Sequence, residues 1–258
     1  MSTSGESIDN EAYARALVGE LGLDRAPVAM AFLEAAPAGL ATANHAVPSA
    51  CTFWRLAETS LFYGPAERHY ECPIGAMTMG FELPAEYQSA AQQLVGTMVE
   101  LGYFGVAEVP HLPSVQRGQR GVLYGPLARF PVEPDLVLAI ATPRQAMLLA
   151  EAGDLVTLRE SGGLTAMGRP ACAAVARAAI SAEVTLSLGC IGARTYVEVP
   201  EDRTVVVIPG PRLHALVARL GPLNQANAAL ADFHAGRKAQ FPTPATVSAA
   251  RVGTSEGS

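Results

Sequence analysis

A unit of strand, turn and helix occurs twice in this sequence, and it restricts the possible folds more than any other feature. Residues 136–153 read LVLAIATPRQAMLLAEAG and residues 204–221 read TVVVIPGPRLHALVARLG, and the two align without a gap. Each copy has a buried apolar run, a Pro-Arg turn and an amphipathic segment, with proline where a helix begins and its missing N–H costs nothing. The pattern predicts an α/β or α+β core built from repeated units.

The segments around the four cysteines repeat on a longer period. The Ala-Cys pair ending at Cys51 matches the pair ending at Cys172, and CPIGAMT from Cys72 matches CIGART from Cys190. Farther along, FELP matches VEVP in the same order. Three matches in one order predict an internally duplicated chain, whose two pseudo-symmetric halves form one compact unit.

The chain is long enough, and apolar enough, for a large core. Half of its 258 residues are hydrophobic and 16% are charged, which is typical of a folded protein. The predicted organisation is an N-terminal helix in 1–24, halves at 25–130 and 131–222, and a C-terminal extension with a flexible tail in 223–258. Periodicity predicts helices at 8–21, 51–58, 84–104 and 144–153, and strands at 26–34, 59–65, 121–130, 134–143 and 154–160.

Charge and motif content exclude several classes of function. A net charge of −6 gives no basic surface for nucleic acid or anionic lipid. The start MSTSGESIDNEAY does not read as a signal peptide, and no run approaches the roughly 18 apolar residues of a membrane helix, so we expect a cytoplasmic protein without membrane contact. Phosphate-loop, dinucleotide-binding, serine-hydrolase and zincin motifs are absent.

The cysteines stand where a fold can stabilise negative sulfur. In a reducing compartment they are more often thiols or metal ligands than disulfides. VPSAC and GRPAC place Cys51 and Cys172 in the first turn of a helix, where free N–H groups favour a thiolate. Cys72 and Cys190 are expected to end strands and to precede glycine turns whose N–H groups face the sulfur.

Two cysteines from each half would meet near a pseudo-twofold axis and form one four-thiolate site. Such a donor set suits zinc or an iron–sulfur cluster. The spacings of 21, 100 and 18 residues lack the close Cys pairs of structural zinc sites. The favoured cofactor is therefore an iron–sulfur cluster of the 4Fe-4S type, with zinc, or no metal and simple core packing, as alternatives. The expected ligands are Cys51, Cys72, Cys172 and Cys190.

Five segments of the sequence carry a family resemblance. The segments are CTFWRLA, CPIGAMTMG, YGPLARFPVEPDLVLAIATPRQAMLL, ACAAVARAA and LSLGCIGAR. In this order, they resemble the conserved blocks of domain of unknown function 169, the uncharacterised ArCR-type proteins. The resemblance covers roughly residues 25 to 222. It implies that the four cysteines and the Gly-Ala-Arg turn belong to the family pattern, and it implies no particular activity.

Five further residues are candidates for the surroundings of the site. Gly75 and Gly192 belong to the cysteine turns. Arg194 could offset cluster charge or bind an anionic group of a substrate, and a surface salt bridge is its alternative role. Trp54 could wall off water, or simply fill the core. His69, three residues before a cysteine, is a candidate ligand or proton carrier, or else an exposed loop residue.

The leading hypothesis is an iron–sulfur protein in electron transfer, redox sensing or cluster-dependent small-molecule chemistry. Its rival is a cluster-free thiol enzyme, in which Cys51 or Cys172 is the nucleophile and the turn cysteines resolve it. A third is a small-ligand binding module with structural cysteines or zinc. Whether the chain is an enzyme, which small molecule or redox partner it meets, and whether it forms homo-oligomers stay open at this level.

Overall fold

One mixed β-sheet organises the chain. The computed structural model describes residues 9–103, 105–153, 166–167 and 169–240. Within them, the strands are β1 (Val28–Leu33), β2 (Phe62–Pro65), β3 (Gly121–Pro126), β4 (Leu136–Ala141), β5 (Ala166–Met167), β6 (Thr185–Ser187) and β7 (Thr204–Pro209). Their order is β2-β3-β1-β4-β7-β6-β5. Neighbours pair antiparallel, except β5, which is parallel to β6.

Helices pack on both faces of this sheet. They are α1 (Asn10–Leu21), α2 (Thr52–Ala57), α3 (Pro73–Thr78), α4 (Ala85–Glu100), α5 (Pro143–Ala152), α6 (Cys172–Ser181), α7 (Ile191–Tyr196) and α8 (Gly210–Lys238). Because side chains alternate along a strand, Met30 of β1 joins the core against α2, α3, α6 and α7. Its neighbour Ala29 joins the core against α1, α5 and α8. The fold is therefore a mixed α/β arrangement with two apolar cores.

Most of the elements form where the sequence patterns predict them. The Asp9 side chain caps α1, and Gly22, at φ 68°, ends it in the left-handed conformation that favours glycine. Both copies of the aligned repeat fold as a strand followed by a helix with proline in its first turn. The strand predicted at 154–160 and the tail predicted after residue 240 lie outside the described residues.

Two local predictions need correction. Cys72 does not end a strand: it follows a turn and a short 3-10 helix at Ala66–Arg68 and stands at the N-cap of α3. Cys190 does not end a strand either, since β6 stops at Ser187 and Cys190 is the N-cap of α7. The physical reason is helix initiation, which in α3 is favoured by Pro73 at the first helical position. Both sulfurs therefore occupy helix starts.

The C-terminal part of the described chain is more regular than its pattern indicates. α8 runs for 29 residues and passes through Pro222. Beyond residue 224 almost all of its side chains are exposed, including Leu230 and Phe233, so no apolar stripe marks this helix in the sequence. Even so, none of the described helices combines the length and the apolar character needed to cross a bilayer.

Candidate functional site

All four cysteines line a single cavity. It has a volume of about 270 Å³ and lies at the starts of four helices. Cys51 and Cys172 are buried, whereas Cys72 and Cys190 are partly exposed. The fold thus brings together residues that are up to 139 positions apart in the chain, from 51 to 190. The other walls are almost wholly apolar and include Leu94, Met98, Tyr103, Ile191 and Tyr196.

Ser49 links the two cysteines of the first half. Its hydroxyl oxygen lies 3.0 Å from the Cys51 Sγ and 3.8 Å from the Cys72 Sγ. The Ser49 carbonyl also accepts a hydrogen bond from the Thr52 N–H at the start of α2. VPSAC suggests Ser49 as the helix cap, but the N-cap of α2 is Cys51, and the Ser49 hydroxyl lies against the sulfurs instead.

Backbone N–H groups serve the sulfur of Cys190. The Ala171 and Ala193 N–H groups each donate to this Sγ at 3.4 Å. Ala171 directly precedes Cys172, so the start of α6 contributes both a thiol and a donor to the neighbouring thiol. N–H groups and hydroxyls around sulfur stabilise thiolates and, in iron–sulfur proteins, tune the cluster potential.

Burial keeps the two inner thiols protonated in the absence of an opposing positive charge. Burial raises the pKa of the Cys51 thiol to about 12, against a smaller lowering by the Ser49 hydroxyl, and Cys72 and Cys190 raise it further. Burial likewise raises the pKa of Cys172, with the Thr78 hydroxyl acting in the opposite direction. Neighbouring sulfurs add to the effect of burial at both Cys51 and Cys172.

The glycines of the two cysteine turns differ in their surroundings. A Cβ atom at Gly75 would stand 2.5 Å from the Ala50 Cβ and 2.9 Å from the Cys72 Sγ, so only glycine fits there. A Cβ atom at Gly192 would meet the Cys190 Sγ at 3.8 Å, an ordinary contact. Both glycines line the cavity.

Arg194 does not reach the cavity lining. Its guanidinium donates to the carbonyl oxygens of Leu188 at 2.9 Å and of Pro200 at 2.6 Å, with a longer contact to Val199. These bonds tie the segments before and after α7 together. The expectation that Arg194 faces a bound group is therefore replaced by a role in holding the loop that presents Cys190.

His69 and Trp54 stand behind the cavity rather than in it. His69 is completely buried, with Nδ1 2.9 Å from the Pro65 carbonyl oxygen and Nε2 3.0 Å from the Tyr124 hydroxyl. Burial lowers the pKa of its imidazole to about 4. Trp54 is buried on another side of α2, against Val28 and Val205. Neither ring is among the described lining residues.

Two residues at the cavity escape the sequence patterns. Tyr103 lines it, and the Arg169 guanidinium lies 4.6 Å from the centre of the Tyr103 ring. The nearest signal in the sequence is GRPAC, where the arginine stands three positions before Cys172. Nothing in the sequence signals Tyr103, because it follows the end of α4, about 70 residues before that cysteine.

Comparisons with known proteins identify the family and no activity. The chain is 26% identical over 179 residues to "Uncharacterized protein MJ0308" of Methanocaldococcus jannaschii, a match that covers 65% of this chain and 73% of that protein. No solved structure matches the chain significantly. The family model described as "Uncharacterised ArCR" matches residues 16–219, which contain all four cysteines. The chain therefore belongs to the family of domain of unknown function 169.

Proposed function

We propose that this protein binds an iron–sulfur cluster through Cys51, Cys72, Cys172 and Cys190. The observation that carries the proposal is the meeting of these four thiols, from four separate helix starts, in one apolar cavity. Four thiolates are the donor set of a 4Fe-4S cluster. Each thiol would lose its proton on ligation, and the positive metal core would offset the burial that raises the pKa of the inner thiols.

A single zinc ion and a cluster place different demands on the four thiols. Zinc holds each sulfur at about 2.3 Å, which draws all four ligands close together. Among the described residues, no three His, Cys, Asp or Glu side chains are grouped tightly enough to hold one metal ion. A cluster binds each thiolate through a different iron atom, so its ligands stand farther apart.

The surroundings of the cavity favour chemistry on a small molecule, or its sensing, over simple electron transfer. Cys72 and Cys190 are partly exposed, so the outer side of a bound cluster would face an accessible, apolar space. If one of these outer cysteines is not a ligand, the iron atom there has an open position and could polarise a bound group as a Lewis acid. The competing thiol-enzyme hypothesis is weaker for Cys51 and Cys172, because burial holds both as poorly nucleophilic thiols.

We also infer that the site arose from an internal duplication. Six strands lie in the order β2-β3-β1-β4-β7-β6. Counted outward from the central β1–β4 pair, β1, β3 and β2 on one side correspond to β4, β7 and β6 on the other. In each half a buried cysteine begins one helix, a strand follows, and a second cysteine caps a six-residue helix. This correspondence supports the halves at 25–130 and 131–222. Independent expression of each half would test the duplication. Assembly of each half into a dimer that contains four thiols would support it.

Metal analysis of protein purified without oxygen tests the cluster. We expect iron and acid-labile sulfide in near-equal amounts and a visible absorption band at about 400 nm. Zinc alone, or colourless protein even after anaerobic reconstitution with iron and sulfide, would overturn the proposal.

Single substitutions connect the cluster to its ligands. Cys172→Ser and Cys190→Ser should each lower the iron content and the visible absorption severely. The matched control is Met98→Leu, which changes another lining residue while keeping its volume and all four thiols. Equal iron content in Cys190→Ser and Met98→Leu proteins would remove Cys190 from the ligand set.

A further inference from the structure

A cation stands beside the cavity, and it is not the one that the sequence indicates. The Arg169 guanidinium lies 4.6 Å from the centre of the Tyr103 ring, and Tyr103 is part of the cavity wall. Arg169 also directly precedes Pro170 and Ala171, which are both lining residues. The Tyr103 ring therefore separates the Arg169 charge from the apolar cavity, and in the chain Arg169 is adjacent to a lining residue.

The Arg169 guanidinium carbon lies over the Tyr103 ring, a position that is compatible with N–H donors available to a ligand. A guanidinium that lies over an aromatic ring uses its flat face, while its N–H donors point outward in its own plane. Arg169 is exposed, and no carboxylate of the described part of the chain forms an ion pair with it. Arg194, in contrast, has its donors engaged by backbone carbonyls.

The one charged side chain in the described lining is Glu71. It precedes Cys72, at the start of α3, whereas Arg169 precedes Cys172, at the start of α6. The negative and positive charges are thus carried by segments from different halves of the chain. A ligand in the cavity would meet apolar walls, sulfur at the inner end and, next to the Tyr103 ring, the Arg169 cation, which is not itself one of the lining residues.

We infer that this cavity binds a small carboxylate with a short apolar body, held through its carboxylate by Arg169. A planar guanidinium fork matches a carboxylate in a bidentate fashion. The apolar body would lie against Leu94, Met98 and Ile191, because binding cavities take up apolar ligand surface while a few polar groups set its orientation. The inference deepens the proposed function, since it names the substrate class for the space above a cluster. It does not require the cluster to be present.

Alkylation of the outer cysteines tests the charge of the cavity without any metal. Iodoacetate and iodoacetamide differ by a carboxylate in place of a neutral amide, and with both reagents the thiolate sulfur attacks the methylene carbon and displaces iodide. The rates at Cys72 and Cys190 would be followed by mass spectrometry on reduced, metal-free protein. Replacing Arg169 by glutamine should lower the ratio of the iodoacetate rate to the iodoacetamide rate about five-fold, as expected for removal of one nearby charge.

Matched variants separate Arg169 from a general charge effect. Arg144→Gln removes an exposed arginine from α5, on the opposite face of the sheet, and should leave the rate ratio unchanged. Glu71→Gln removes the acidic group of the lining and should raise the ratio. Added salt should weaken both effects, because exposed charges are screened. Equal ratios in Arg169→Gln and Arg144→Gln proteins would overturn the inference.

A competition measurement tests binding itself. Isobutyrate at millimolar concentration should slow the alkylation of Cys190 by iodoacetamide, and isobutyramide should not. The protection should disappear in Arg169→Gln protein. Protection by both compounds, or by neither, would overturn the carboxylate site. Because these rates are measured without metal, a protein that binds isobutyrate and yet takes up no iron would retain the carboxylate site and lose the cluster.

Discussion

The two glycines of the cysteine turns provide a direct test of how tightly the site is packed. Gly75 lies in α3 and Gly192 lies in α7, each within a six-residue helix that begins after a cysteine. An added methyl group at Gly75 would overlap Ala50 and the Cys72 sulfur, at 2.5 and 2.9 Å. The same group at Gly192 would meet nothing closer than 3.8 Å. Both substitutions to alanine gain the same helix propensity, about 1 kcal/mol, so this term cancels in their comparison.

The expected difference is therefore the cost of overpacking at Gly75. Ala50 is 2% exposed and its Cβ has no rotamer into which it could retreat, so the backbone of α2 or α3 must shift. Overpacking of this kind costs about 1–3 kcal/mol. We expect Gly75→Ala protein to melt about 2–12 °C below Gly192→Ala protein, since a chain of this size loses about 2–4 °C per kcal/mol.

Thermal and urea unfolding of both variants, reduced and without metal, would measure this difference. Iron content after anaerobic reconstitution provides a second readout, because displacement of the Cys72 sulfur should lower it in Gly75→Ala protein and not in Gly192→Ala protein. Stabilities that agree within about 0.5 kcal/mol would show that the start of α3 can yield, and would refute the packing argument.

Three further predictions concern residues around the site and the first helix. Folded His69 has a pKa of about 4 and unfolded His69 a pKa of about 6.5, so the unfolded chain takes up the proton first as the pH falls. The free energy of unfolding should therefore fall by about 3 kcal/mol between pH 6.5 and pH 4. Urea titrations at each pH should show that His69→Gln protein lacks this part of the loss. Arg194→Lys should lower the free energy of unfolding in urea by about 1–2 kcal/mol, because an ammonium cannot span the carbonyls that the guanidinium joins. Iron uptake should stay close to that of the unmodified protein. A loss of iron at normal stability would instead show that Arg194 contributes directly to the site. Asn10→Ala should cost about 1–3 kcal/mol in thermal unfolding, since its buried amide donates to the carbonyls of Phe130 and Val132 at 2.9 and 2.8 Å, and an unchanged melting temperature would contradict this.

The features that could be predicted from the sequence are those written in local patterns. The apolar runs of β1 and β4, the amphipathic helix α4 and the Pro-initiated helix α5 all form within a few residues of their predicted bounds. Convergence of the cysteines could be anticipated as well, because a repeated order of cysteine segments implies repeated positions in the fold.

Other features depend on which side chains the folded chain brings together. Arg194 and Arg169 both stand next to a cysteine segment in sequence, and only the tertiary structure distinguishes the one bound to carbonyls from the one stacked on an aromatic ring. His69 reads as a polar loop residue, yet it is enclosed by Phe53, Phe81 and Tyr124. Such enclosure is a property of the whole core and leaves no signal in neighbouring residues.

The β1–β4 pair has a mechanical consequence for the whole molecule. These two strands align over three residues each, whereas the neighbouring pairs β1–β3 and β4–β7 align over six. The β1–β4 pair is thus the shortest ladder in the centre of the described sheet. A group ligated by Cys51 and Cys72 from one side and by Cys172 and Cys190 from the other would act as a crosslink across it. If the proposed cluster is bound in this way, its loss would make the β1–β4 junction, and with it the centre of the sheet, less rigid.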